Sequence, residues 1–308
     1  SSLNQKKENL LTLEEWSKVI ENIPQWTIVD ITGGEPLLTP NFDQIINKML
    51  KRKLKISLIT NGTIVRGKLI PNLMEQGLEH LMISLDGPKE IHDEIRGNGN
   101  FEKAIATARS AINVQKRKGK VIAKVTVSEN NYNKLESFCS ELLEDVKFDG
   151  ITLNLLFQNS ARDGFLTDEE LENEKFQTGN QIQFDKSKIS AMTQAIQALK
   201  TKYPEYVQIR PEIETNQIIE YFKNPRRFKP QSCSKYRSVI TMYGDGMLNP
   251  CDLGINVGNI RDINYSLWKV SDIKKLKNNK SKIDKLGSDK LPGCEGCCLK
   301  KHEAFDHG

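Results

Sequence analysis

The sequence lacks any stretch that would carry the chain into or across a membrane. No run of 18 apolar residues occurs among the 308 residues, and no apolar targeting segment lies near the start. Hydrophobic residues make up 37% of the chain and charged residues 28%, a balance typical of soluble globular proteins. We therefore expect a cytoplasmic protein without a membrane partner, and its length suggests about two domains.

Several common functional signatures are also missing. The four His residues belong to no Ser/His/Asp arrangement, and the chain has neither a phosphate-binding P-loop nor a recognisable nucleic-acid module. No catalytic side chain is therefore predicted, and no nucleic acid is expected as a partner. The formal net charge is +5, and basic residues gather in the stretches 223–237 and 269–290. Such stretches either steer an acidic partner or form a solvated surface.

Cysteine is scarce over most of the chain and concentrated at its end. Five of the six Cys lie in the last 76 residues, and a chain of this size without a secretion signal does not suggest a disulfide framework. The candidate metal ligands are Cys233, Cys251, Cys294 and Cys297, separated by 17, 42 and 2 residues. Four thiolates fit either tetrahedral zinc or an iron–sulfur cluster, and the spacing does not choose between them. Cys298 is an alternate ligand or a free thiol.

The first half of the chain alternates short β-branched runs with amphipathic helical patterns. Between residues 12 and 160 this alternation predicts βα units around a parallel sheet. The predicted strands are 27–32, 54–60, 81–85, 121–127 and 150–157, and the predicted helices are 12–23, 42–51, 101–117, 134–143 and 189–202. Cys139 lies in an apolar helical stripe, which indicates core packing.

The last third of the chain follows a different pattern. Gly244-Asp245-Gly246 predicts a hairpin turn between strands over 238–243 and 247–251, and a helix is predicted over 265–276. A basic, Pro-containing linker at 221–232 separates this part from the βα units. The expected domains are therefore 1–220 and 221–308.

Three loops with ligand-binding potential follow consecutive predicted strands: Gly33-Gly34-Glu35-Pro36, Thr60-Asn61-Gly62 and Ser84-Leu85-Asp86-Gly87. Carboxyl ends of parallel strands meet at one edge of a sheet, where such folds bind their ligands. The two glycines of the first loop let a ligand approach the backbone closely. Pro36 fixes the chain as it leaves the turn. Taken alone, this loop would equally fit an ordinary strand–helix turn.

The side chains of these loops suit particular ligand groups. The Glu35 carboxylate suits an ammonium group, and Ser84 and Asp86 suit a ribose or an amino-acid head group. Arg96 can pair bidentately with a carboxylate. Structural alternatives are a helix N-cap for Asp86 and a surface ion pair for Arg96. The full predicted binding set is Gly33, Gly34, Glu35, Pro36, Asn61, Ser84, Asp86 and Arg96.

These motifs, taken in order with Ile59-Thr60-Asn61-Gly62, resemble those of the radical S-adenosylmethionine (SAM) enzymes. The stretch 91–97 and the Cys233 to Cys251 hairpin segment are similar to the group with a C-terminal SPASM or twitch extension. The resemblance implies an α/β fold, a partial (β/α)6 TIM-like barrel whose first strand is missing, plus a small C-terminal β-hairpin/helix iron–sulfur domain. It also implies SAM as cofactor, with its amino group at 33–36 and its ribose and carboxylate side at Ser84 and Asp86.

The resemblance further assigns the C-terminal thiolates to one auxiliary [4Fe–4S] cluster instead of zinc. The C-x-x-x-C-x-x-C motif that holds the SAM-cleaving [4Fe–4S] cluster is absent. In the family it precedes the helix that here begins at Thr12, so its three Cys are expected upstream of Ser1. This 308-residue chain is therefore expected to be inactive in SAM cleavage on its own.

The implied activity is reductive cleavage of SAM to a 5′-deoxyadenosyl radical, which abstracts a substrate hydrogen. The expected substrate is a ribosomally made precursor peptide that is oxidised, crosslinked or epimerised, and the expected electron donor is a flavodoxin or ferredoxin. Two alternatives remain open at this point. One is a small-molecule radical SAM dehydrogenase, and the other is a non-catalytic zinc-stapled α/β binding protein.

Overall fold

The computed structural model describes residues 9–155, 185–223, 239–249 and 256–267, together with Lys269 and Asn278. All five C-terminal cysteines lie outside the described residues, as does most of the helix predicted over 265–276. Of the predicted linker 221–232 only residues 221–223 are described, and they end a helix.

Six parallel strands form one sheet in which sequence order and spatial order are the same. The sheet curls into a half-barrel flanked by helices, which confirms the predicted α/β partial TIM-like barrel. The strands are β1 Ile28–Ile31, β2 Lys55–Thr60, β3 His80–Leu85, β4 Lys120–Val127, β5 Gly150–Leu155 and β6 Val207–Arg210. The last of them was not predicted, because a four-residue run between a helix and Pro211 gives little periodic signal.

Helices alternate with these strands. Those of the sheet region are α2 Phe42–Lys51, α3 Leu69–Gln76, α4 Lys89–Arg96, α5 Asn100–Ile112, α6 Leu135–Glu141, α7 Lys186–Lys202 and α8 Ile218–Lys223. The amphipathic patterns predict α2, α5, α6 and α7, whereas α3, α4 and α8 were not predicted. Helix α5 ends five residues before its predicted end at Arg117. The Arg117 guanidinium instead donates to the carbonyl of Ile112 and to both oxygens of Asp149, at 2.7 and 3.0 Å. Arg117 and Asp149 are 32 residues apart in the sequence, so no local pattern predicts their contact.

The two faces of the sheet differ in burial. In β4 the odd-numbered residues 121 to 127 are fully buried, whereas the even-numbered residues 120 to 126 remain accessible. Helix α5 packs against β3 and β4, and α7 packs against β6. The helices therefore cover the apolar face, and in β3 to β6 the opposite face carries the accessible side chains. The edge strand β1 has no buried residue on either face.

Contacts divide the chain into two compact units. The sheet and its helices, residues 25–155 and 185–223, form one of them. The other contains α1, Leu13–Glu21, together with the three-stranded sheet of β7 Thr241–Met242, β8 Met247–Asn249 and β9 Gly258–Asn259. The predicted hairpin around Gly244-Asp245-Gly246 is present between β7 and β8, which pair antiparallel. The predicted domains 1–220 and 221–308 placed α1 with the barrel. In the structure α1 instead belongs to the unit of the three-stranded sheet.

Within the second unit, α1 begins with a capping box. The Thr12 side chain accepts from the Glu15 N–H at 3.2 Å, and the Glu15 carboxylate accepts from the Thr12 N–H at 2.8 Å. Arg261, in the short 3-10 helix after β9, donates to both carboxylate oxygens of Glu15. The start of α1 is thereby joined to a residue 246 positions away.

None of the helices among the described residues is both long and apolar enough to cross a membrane.

Candidate active site

The three motif loops meet at one edge of the sheet. Strands β1, β2 and β3 are adjacent and parallel, with Ile31 beside Leu58 and Thr60 beside Ile83. Each loop follows the carboxyl end of its strand, so 33–36, 60–62 and 84–87 share this edge. The sequence prediction that they form one rim is therefore consistent with the geometry.

Glu35 ties the first loop to the second. One of its carboxylate oxygens accepts from the Thr60 hydroxyl at 2.7 Å and from the Leu37 N–H at 3.1 Å. The other accepts from the Asn61 N–H at 2.8 Å. These three bonds commit the carboxylate to joining the loops, so a ligand ammonium at this rim would meet the loop backbone before the Glu35 side chain.

The Asn61 loop is built from short-range hydrogen bonds and a close helix contact. The Asn61 side-chain oxygen accepts from both the N–H and the hydroxyl of Thr63, each at 2.8 Å. Gly62 has a positive φ of 72°, and a Cβ there would lie 3.0 Å from the Cα of Ala104. Glycine is thus required for α5 to approach. Asn61 shapes the loop, and its side-chain NH₂ group is the part left for a ligand.

Asp86 and Arg96 form an ion pair with each other. Arg96, the last residue of α4, donates through Nε and Nη2 to the two carboxylate oxygens of Asp86. The Asp86 carboxylate is largely buried, and Arg96 is about one third exposed, at 34%. The structure therefore gives Arg96 a carboxylate partner from its own chain, and Asp86 is not the N-cap of α4, a position that Pro88 occupies.

Two further residues hold the backbone around Asp86. The Asp86 N–H donates to Nδ1 of the fully buried His92 at 3.2 Å, and the Asn131 side chain donates to the Asp86 carbonyl at 2.8 Å. Burial lowers the pKa of His92, which keeps the ring neutral with Nδ1 as acceptor. The sequence predicted neither His92 nor Asn131 as a site residue. The contact of Asn131 with Asp86 spans 45 residues and has no local signal.

Ser84 occupies a different environment. It lies on the accessible face of the sheet, beside Lys124 of β4. Lys124 in turn lies beside Thr152 of β5, and Thr152 beside Gln208 of β6. Sequence reasoning missed this polar row, although the alternation in β4 predicts one accessible face.

Comparison with known proteins finds one family in this region. Residues 2–140 match the profile of the Radical SAM superfamily. The three motif loops all lie within the matched range, so the edge described above belongs to the domain that matches this family.

Relatives share this domain over part of their length. The chain is 28% identical over 143 residues to the Fe-coproporphyrin III synthase of Methanosarcina barkeri, covering 46% of this chain and 35% of that protein. It is 24% identical over 143 residues to the mycofactocin maturase MftC of Mycolicibacterium smegmatis, covering 46% of this chain and 36% of that protein. The chain thus spans about a third of the length of the curated relatives it matches.

A solved structure extends the likeness in fold over most of the chain. Native anSMEcpe with bound AdoMet and Kp18Cys peptide superposes with a TM-score of 0.60 at 18% sequence identity, covering 94% of this chain and 81% of that one. At this level of identity the likeness establishes the fold.

The glycine loop faces open space. A Cβ built on Gly33 or on Gly34 would meet no atom within 4 Å, so open space lies in front of this backbone. The backbone here fits a ligand that approaches closely, whereas the Glu35 carboxylate is already occupied by protein donors.

The metal ligands predicted from the sequence remain predictions, because Cys233, Cys251, Cys294 and Cys297 lie outside the described residues. Within the described ranges no group of three or more His, Cys, Asp or Glu side chains is placed to hold a metal ion. Cys139 is a buried free thiol in α6, as the apolar stripe predicted.

Proposed function

We propose that this protein is a radical SAM enzyme whose SAM site is the edge formed by the three motif loops. The observation that carries the proposal is the open backbone of Gly33 and Gly34, joined through Glu35 to the end of β2, in a chain that matches the superfamily over residues 2–140. SAM together with a [4Fe–4S] cluster would supply the radical chemistry of the reaction.

The chain's own residues bind and orient in this proposal. The backbone of Gly33 and Gly34 receives the amino group of SAM, and the Ser84 hydroxyl binds on the ribose and carboxylate side. Glu35 and the Asp86–Arg96 pair are positioning residues, since each joins two segments of the rim.

The proposed substrate is a ribosomally made peptide. MftC is named a maturase, and the anSMEcpe structure contains a peptide. The basic stretches 223–237 and 269–290 suit an acidic peptide segment. A tetrapyrrole is the second candidate, because the 28% identical relative is named an Fe-coproporphyrin III synthase.

An auxiliary [4Fe–4S] cluster held by Cys233, Cys251, Cys294 and Cys297 completes the proposal. Iron and acid-labile sulfide in the purified protein would support it, whereas stoichiometric zinc would support the non-catalytic binding protein. Replacing Cys294 with Ala should remove iron and destabilise the C-terminal part, since a small domain relies on its metal for folding energy. Replacing the buried Cys139 with Ala is the matched control and should leave the iron content unchanged.

The SAM site is tested at Gly34. Open space surrounds its Cβ position, so Gly34→Val should fold with an unchanged melting temperature. The added side chain would occupy the space that a ligand needs, and SAM binding by equilibrium dialysis should weaken about tenfold or more. Unaltered SAM affinity in a folded Gly34→Val protein would contradict this assignment.

A further inference from the structure

The accessible face of the sheet carries two cations near the carboxyl ends of its strands. Lys124 lies in β4 and Arg210 ends β6, and both belong to the face that the helices leave uncovered. The register places Lys124 in one row with Thr152 and Gln208, and Arg210 in the next row with Asn154. Strand spacing puts the two backbones about 10 Å apart across the sheet.

Lys124 is a half-buried cation without a carboxylate partner in the ranges that the structure describes. Its direct neighbours across the sheet are Ser84 and Thr152, both uncharged. Removing part of an ammonium group from water is unfavourable unless an opposite charge compensates for it. The position therefore favours an anionic ligand over an intramolecular ion pair.

Arg210 extends the positive charge towards the edge of the sheet. Its side chain is 22% exposed, and its contact with Glu212, at 3.5 Å, is at the limit of a hydrogen bond. A cleft of about 610 Å³ is lined by Gln208 and Arg210 together with Gln197, Lys200, Glu212 and Glu214. A ligand on the accessible face thus has room to extend beyond the last strand.

The acidic side chains of the neighbouring rim are already engaged. The Asp86 carboxylate is bound by Arg96, and that of Glu35 accepts three protein hydrogen bonds. Neither carboxylate is placed to pair with Lys124 by these contacts. Lys124 therefore keeps a positive charge among uncharged neighbours in the sheet.

We propose that Lys124, with Arg210, forms a carboxylate-binding subsite for the substrate. This subsite rests on the proposed function, because it would bind the substrate of the same enzyme. The substrate group that it would recognise is one or more carboxylates. The methionine carboxylate of SAM has the same chemistry and is the competing source, since Ser84 lies beside Lys124.

The test for the substrate uses two fluorescein-labelled peptides, (Gly-Glu)6 and (Gly-Gln)6, titrated into the full-length protein by anisotropy. The protein should bind the acidic peptide more tightly than the neutral one. Lys124→Met should weaken binding of the acidic peptide about tenfold, and Lys124→Arg should retain it. Lys120→Met is the matched control, because Lys120 lies on the same strand and face but is exposed at the opposite end, beside His80.

Equal weakening in the Lys124→Met and Lys120→Met proteins would show general charge attraction and overturn the subsite. If Lys124→Met fails to fold, as judged by its melting temperature, Arg210→Gln replaces it, and unchanged acidic-peptide affinity in that variant also overturns the subsite.

A second arm distinguishes SAM from the substrate as the source of the carboxylate. The affinity of each variant for SAM is compared with its affinity for decarboxylated SAM. A preference for SAM that survives Lys124→Met supports a substrate carboxylate, whereas a preference that disappears assigns Lys124 to SAM and overturns the substrate assignment.

Peptide binding does not require SAM cleavage, so the two proposals can fail separately. Lys124-dependent binding in a protein that never binds SAM would refute the proposed function alone.

Discussion

The ion pair between Glu15 and Arg261 should make the stability of the α1 unit depend on pH. The Glu15 carboxylate accepts from Arg261 Nε at 2.6 Å and Nη2 at 3.1 Å, and from the Tyr265 hydroxyl at 3.0 Å. The pKa of Glu15 is lowered from 4.5 to about 2, mainly by the hydrogen bonds from Arg261. Hydrogen bonds from Thr12 and Tyr265 lower this pKa further, whereas burial raises it.

The size of the effect follows from this shift in pKa. A change from 4.5 to about 2 corresponds to about 3 kcal/mol of stability if it acts in full. The Arg261 side chain is 35% exposed, so solvent screening reduces the expected contribution to about 1–2 kcal/mol. Because the pKa is lower in the folded state, this stability is fully present above pH 4.5 and is lost as the pH falls towards 2.

The perturbation is Glu15→Gln, followed by urea unfolding with the fluorescence of the adjacent Trp16 as readout. At pH 7 the variant should be less stable than the parent by about 1–2 kcal/mol, and the difference should shrink steadily between pH 4.5 and pH 3. Glu14→Gln is the matched control, since Glu14 is 79% exposed and pairs only with Lys18 one turn along the helix.

Two results would contradict this reasoning. If Glu14→Gln and Glu15→Gln shift the urea midpoint equally at pH 7, the contact with Arg261 contributes nothing specific. If the Glu15→Gln difference is the same at pH 7 and pH 3, the stabilisation does not come from the ionised carboxylate.

Two further outcomes follow from burial and backbone geometry. Burial raises the pKa of the Cys139 thiol to about 12. Iodoacetamide at pH 8 should therefore leave Cys139 unmodified in the native protein and modify it in urea. Rapid labelling of the native protein would refute the place of Cys139 in the core. Gly246→Ala should cost about 2–3 kcal/mol, because φ is +85° and the new Cβ would lie 2.8 Å from the Asn259 side-chain oxygen. Gly99→Ala is its control, with φ at +75° but open space around the Cβ, and should cost about 1 kcal/mol; equal losses would show that the contact with Asn259 is unimportant.

Local sequence patterns predict most of the sheet. β-branched runs separated by amphipathic helices predict the first five strands, and the structure places all five within one residue of their predicted starts and in parallel order. Such patterns succeed because strand and helix periodicity act over a few neighbouring residues. The sixth strand escaped prediction because four residues carry too little of that periodicity.

The sequence by itself also identified the three motif loops of the rim, since glycine-rich turns directly after strands are local features. Only the tertiary structure decided what their side chains do. Glu35 bonds to Thr60 across 25 residues, and Arg96 meets the carboxylate of Asp86 where a ligand carboxylate had been expected.

Contacts between residues far apart in the sequence explain the remaining differences between the sequence predictions and the structure. The alignment of Lys124 with Ser84 and the contact of Glu15 with Arg261, 246 residues apart, depend on strand register and chain topology. Neither is encoded in the spacing of residues along the chain, because a side chain's partner is set by distances through space. The sequence alone therefore determined most of the elements and the motif loops, whereas folding decided which charged side chains pair with each other within the protein.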